Sequence, residues 1–161
     1  MGGIEIKSAT AADCALLLSF IRQLAEYEHL SHEVVADETG LRESLFGERA
    51  GAEAVIGYLD GKPAGFALFF QNYSTFLARP GIYLEDLFVK PECRGRGVGQ
   101  ALLKHVAREA VRRKCGRFEW SVLDWNQPAI DFYRKLGAAP LNDWTIFRVT
   151  GEALERLGQG Q

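Results

Sequence analysis

Ile4 and Ile6 alternate with polar neighbours, the two-residue period of a strand, before the chain changes to helical spacing. Thr10 with Asp13 three residues later signals a helix start, and Cys14, Leu17, Leu18, Ile21, Leu24 and Ala25 then recur on one helical face. Asp37 to Phe46 predicts a short second helix stopped by Gly47. AEAVIGYLDGKPAGFALFF predicts two strands joined at Asp60-Gly61, and after the loop NYSTFLARPG the segment IYLEDLFV predicts another. Val98, Leu102, Leu103, Val106, Ala110 and Val111 form the apolar stripe of a longer helix, with Glu109 and Arg113 placed to pair and Gly116 as its stop. RFEWSVL alternates as a strand. Asn126 caps a helix that has Pro128 in its first turn and ends at Gly137, and WTIFRV predicts a last strand before a short terminal helix.

A chain of 161 residues that is 47% hydrophobic is long and apolar enough for one domain with a genuine core, so residues 1–161 are expected to fold as a single α/β (α+β) domain. Nineteen Lys and Arg against 21 Asp and Glu give a net charge of -2, which provides no global field for nucleic acid or an anionic membrane. Neither partner is expected. Cys14, Cys93 and Cys115 are an odd set without CxxC spacing, and no basic-then-apolar leader precedes them, which predicts a reduced, cytoplasmic protein. His29, His32 and His105 lack ligand spacing, so no metal is expected.

The run RGRGVG, residues 94 to 99, concentrates glycine between a strand and a long helix. Helix N-termini present free N–H groups and the positive end of the dipole, which favours a phosphate there. A Walker loop fails because GVGQAL supplies no lysine or hydroxyl, and a dinucleotide fingerprint fails because KPEC intervenes and the third glycine is missing. An ordinary glycine-rich connection stays open, with Arg94 and Arg96 favouring pyrophosphate. Glu85 and Asp86 interrupt an apolar strand; they read either as exposed edge charges or as working carboxylates, on opposite faces unless a bulge redirects them.

IYLEDLFVKPECRGRGVGQALL resembles the central acetyl-CoA motif of the GNAT acetyltransferases, with Arg94, Gly97 and Gly99 at its key positions. ATAADC, YLEDLFV, VLDWNQPAIDFY and RKLGA extend the similarity to the diamine (spermidine/spermine) acetyltransferases, and LDWNQ resembles the thialysine branch. The resemblance implies a mixed central sheet, flanked by helices and splayed between its fourth and fifth strands, here Tyr83 to Val89 and Arg117 to Leu123. It implies acetyl-CoA as co-substrate, held by backbone of Leu87 and Val89, by amides of Arg94, Gly95, Arg96, Gly97, Val98 and Gly99, and by Asn126. It also implies a homodimer, for which the phenylalanines of the 66 to 76 region and the tryptophans are candidate surface.

A primary amine with a pKa of about 10 is about one part in a thousand neutral at pH 7, a deficit of about 4 kcal/mol before its lone pair can attack. The resemblance assigns Glu85 as the base, acting through water, and Asp86 as an anchor for the acceptor ammonium. It makes Tyr133 the general acid for the departing thiolate, whereas by spacing alone Tyr133 reads as a core aromatic among Ile130, Phe132 and Leu136. Arg134 and Lys135 read either as phosphate contacts or as a solvated face. AEYEHLSHEVVADETG, residues 25 to 40, holds five acidic residues and no Lys or Arg, and Tyr27 and Glu28 match positions bordering the acceptor channel of the diamine enzymes. Ser31-His32, Ser74 and Phe76 depart from the polyamine pattern. The acceptor expected is therefore a small primary amine with a further positive charge, nearer to thialysine or a short diamine than to spermine. A protein or peptide acetyltransferase and a noncatalytic CoA sensor are the alternatives.

Overall fold

The computed structural model describes residues 3–160 and divides the chain into two compact units, Met1–Leu123 and Asp124–Gln161. The first unit is built on five strands, β1 (Ile4–Ser8), β2 (Glu53–Leu59), β3 (Lys62–Ser74), β4 (Arg79–Val89) and β5 (Phe118–Trp120), ordered as numbered. The first four run antiparallel, and β5 joins β4 in parallel. The sheet is therefore mixed, with helices α1 (Cys14–Tyr27), α2 (Glu38–Phe46) and α3 (Val98–Arg112) around it. Asp60 and Gly61, both at positive φ (54° and 77°), make the two-residue turn between β2 and β3.

Pairing register assigns the faces. Ile56, Phe66 and Phe88 lie opposite one another and pack with Phe20, Leu17 and Leu41, so this face meets α1 and α2. Phe20 stacks on Phe66 with ring centroids 5.6 Å apart. The other face meets α3: a Cβ on Gly57 would lie 3.1 Å from Val98 and 3.4 Å from Leu102, so only glycine lets the helix approach this closely. Arg113 ties the far end of α3 to β2, its Nη1 donating to Glu53 Oε2 (2.6 Å) and its Nε to Glu109 Oε2 (3.2 Å).

The second unit carries α4 (Gln127–Lys135) and α5 (Gly151–Gly158). Residues 144–149 form no strand: Trp144, Ile146 and Phe147 are exposed and no ladder forms along them. The alternation in WTIFRV lacks a partner, without which a strand has no hydrogen bonds to define it. The fifth strand is likewise shorter than RFEWSVL, while β3 and β4 are longer than expected and absorb both ends of the loop NYSTFLARPG into a hairpin.

Candidate active site

The site's organising feature is a bulge in β4. Leu84 pairs with Phe69, but Asp86 pairs with Leu68, so Glu85 is the extra residue. Opposed residues share a face, which places Leu84 with Phe69 on the α3 side and Asp86 with Leu68 on the α1 side. The backbone changes direction at the same point. Ile82 N donates to Arg117 O beside β5 (3.1 Å), whereas Lys90 N donates to Ala64 O, just before Gly65 of β3 (2.8 Å). Residues of opposite parity to Lys90 after the bulge, Leu87 and Val89, therefore turn their peptide groups toward the β5 side. There, pairing with β5 covers only Ile82 to Leu84 among the described residues. The edge of β4 is open from Glu85 onward, the splay expected between the fourth and fifth strands.

Acidic groups gather on the α1 side. Helix α1 ends in a reverse turn with His29 at φ 60°, His29 N donating to Glu26 O (3.1 Å) and Leu30 N to Ala25 O (2.8 Å). This fixes Tyr27 and Glu28 at the helix end. Burial, followed by the charges of Glu85 and Glu28, pushes the Asp86 carboxyl up to about 7. Burial also raises Glu28. Glu85 itself is exposed. Asp86 thus feels both of the other carboxylates, and the three make a region that attracts a cation.

After β4 the chain makes one 3-10 turn, Pro91–Cys93, and enters the glycine run. Gly95 and Gly97 adopt positive φ (73° and 89°), and Gly97 is the N-cap of α3 without a side-chain cap. The N–H groups of Val98, Gly99 and Gln100 precede the first intrahelical bond, from Ala101 N to Gly97 O (3.0 Å). A Cβ at Gly95 would meet nothing within 4 Å, so space lies over the loop. Uncapped donors beside open space fit a phosphate group. The two arginines point apart: Arg96 Nη2 reaches Asp60 Oδ2 (3.2 Å), while Arg94 Nε donates to Val89 O (2.9 Å) and its guanidinium lies 4.9 Å from the Tyr27 ring centroid. Sequence reasoning missed this Arg94–Tyr27 contact, since nothing local in either segment signals it.

In the second unit, Asn126 is buried and caps α4, its Oδ1 accepting from Ala129 N (3.4 Å). Tyr133, half-buried near the other end of α4, has its ring 5.5 Å from that of Phe132. Gly137 at φ 92° ends the helix as expected, with Ala138 N donating to Tyr133 O (3.1 Å).

Comparison with known proteins gives this arrangement a context. Thialysine N-epsilon-acetyltransferase of Sus scrofa is 40% identical over 168 aligned positions, covering 98% of each chain. L-ornithine N5-acetyltransferase of Arabidopsis thaliana is 33% identical and covers 95% of this chain and 87% of its own. Among solved structures, an integron cassette protein from the mobile metagenome of V. cholerae superposes with a TM-score of 0.81 at 28% identity, over 97% of this chain and 98% of the other. The profile of the acetyltransferase (GNAT) family matches residues 19–138, from α1 through α4. The chain belongs to the acetyltransferase (GNAT) family and is an N-acetyltransferase enzyme.

Proposed function

We propose that the protein moves an acetyl group from acetyl-CoA directly to the primary amine of a small acceptor that carries a further positive charge. Thialysine-like amines, ornithine and short diamines stand ahead of spermine. The observation that carries this reading is the Glu28, Glu85 and Asp86 cluster beside the open edge of β4, with Asp86 raised to about 7. Names of the similar enzymes, which specify thialysine and ornithine, support the same acceptor class.

Acetyl-CoA, when bound, supplies an activated thioester. The peptide groups of Leu87 and Val89 hold its acetyl and pantetheine portions along the open edge of β4. Amides of residues 94–99 hold the pyrophosphate, and Asn126 adds a contact. Tyr27, Glu28 and Asp86 seat the cationic end of the acceptor. Glu85, exposed at the bulge, takes the ammonium proton through water so that the nitrogen lone pair can attack. Tyr133 Oη holds a proton for the departing sulfur. Residues 1–161 act in this reading as one cytoplasmic domain, a reading supported by a family match that crosses residue 123.

Thiol release from acetyl-CoA, measured over a panel of thialysine, ornithine, 1,3-diaminopropane, spermine and a neutral monoamine, tests the proposal. The first three are expected to give the highest kcat/KM. A neutral monoamine turned over equally well, or turnover confined to protein lysines, overturns it.

A further inference from the structure

We propose that Tyr27 is a positioning residue for the coenzyme, acting through Arg94, so that the acceptor side and the phosphate loop govern each other's affinity. This rests on the acetyl-CoA reading above. Arg94 opens the glycine run, and its side chain turns back over β4 instead of pointing away from the sheet. Its Nε donates to Val89 O (2.9 Å), and its guanidinium carbon lies 4.9 Å from the Tyr27 ring centroid and 5.8 Å from that of Phe88. Three elements thus meet at one cation: the end of α1, the open edge of β4 and the first residue of the phosphate loop.

A guanidinium has five N–H donors, and the bond to Val89 engages one of them. The aromatic contact restrains rotation of the group, and four donors remain beyond the one bonded to Val89. An arginine held this way before an anion arrives loses less rotamer freedom on binding it. Tyr27 supplies the platform from a helix end that the His29 turn locks in place. Remove the ring and Arg94 keeps its charge and its carbonyl partner but gains freedom to rotate. Tyr27 is followed in the chain by Glu28, whose charge acts on Asp86, so an acceptor seated in the acidic cluster lies next to the helix end that carries the ring. Coupling between sites is reciprocal, and the acceptor that stiffens Tyr27 tightens the coenzyme in turn.

Calorimetric titration with coenzyme A, which lacks the acetyl group and so cannot react, reads the effect directly. Tyr27→Leu is expected to weaken binding about two- to fivefold, the size of an exposed cation–π contact. Tyr27→Phe, which keeps the ring, is expected to bind as the unaltered protein does. In an Arg94→Gln background Tyr27→Leu is expected to add nothing. An unchanged affinity in folded Tyr27→Leu, or an equal loss in both backgrounds, overturns the proposal. A second measurement needs no change at Tyr27: saturating 1,3-diaminopropane is expected to tighten coenzyme A in the unaltered protein and not in Arg94→Gln, and equal responses overturn the proposal. Failure of the unaltered protein to bind coenzyme A at all overturns instead the reading on which this one rests.

Discussion

At pH 7 the Asp86 carboxyl is divided between its two protonation states, because burial and the neighbouring carboxylates of Glu85 and Glu28 raise it to about 7. A cation bound beside it favours the ionised form, so the acceptor proposed here binds more weakly as the pH falls below 7. KM for a dicationic acceptor is expected to climb toward the acid side, approaching about tenfold per pH unit. In Asp86→Asn, KM is expected to be high and flat across that range; a slope that survives the substitution rejects Asp86 as the anchor. The same shift has a sign for stability. An acid whose folded pKa lies above its unfolded value of 3.8 costs nothing below that value, and its cost grows as the pH rises toward about 7 and persists above it. Asp86→Asn is accordingly expected to raise Tm by on the order of a few degrees at pH 8 and by almost nothing near pH 4. Gly97 shows a second residue-scale constraint. Its φ of 89° favours glycine for the backbone itself, so any side chain there strains the fold, with its Cβ set against Ile4 Cδ1 at 3.5 Å.

At the level of elements, three helices end through the same device. Helix α3 closes with Cys115 N donating to Ala110 O (2.9 Å) and Lys114 N to Val111 O (3.0 Å), with Lys114 at φ 58°. The terminating residue is therefore Lys114 and not Gly116, where a Cβ would lie 2.6 Å from Cδ1 of the exposed Leu77 side chain, a contact that chain can relieve by moving. Lys114→Gly relieves the left-handed strain and is expected to stabilise the protein by about 0.5–1 kcal/mol, read as a rise of about 1–4 °C in Tm. A fall in Tm rejects that account. Such details mark the limit of what periodicity reveals. The α1 and α3 stripes, the Asp60-Gly61 turn and the Gly137 stop were legible because each rests on spacing or on one residue's backbone preference. The β4 bulge was legible only as a conflict, two charges in an apolar strand, and its direction follows from pairing with β3. Residues 144–149 carry strand periodicity, yet alternation cannot say whether a neighbouring strand exists. The Arg94–Tyr27 contact joins segments 67 positions apart in sequence and leaves no trace in either.

For the whole molecule, assembly is the open consequence of its surface. Phe66 and Phe69 are buried in the sheet and leave the candidate dimer surface, whereas Tyr73, Phe76 and Leu77 stand out around the β3–β4 hairpin tip. We propose a homodimer that covers this tip. Sedimentation at micromolar concentration is expected to give a dimer that Phe76→Asp converts to monomer, and a monomeric parent protein rejects it. The open edge of β4 has a cost of its own. An unpaired strand edge is a template for any extended chain, and five residues of it, Glu85 to Val89, run past the end of β5 pairing. A ligand lying along that edge occupies the template, so under the function proposed above the coenzyme is a solubility factor as well as a reactant. Heated without ligand, the protein is expected to scatter light at a lower temperature than with saturating coenzyme A. The gap should exceed that expected from binding alone, because the bound form hides the nucleus from which cross-strand aggregates grow.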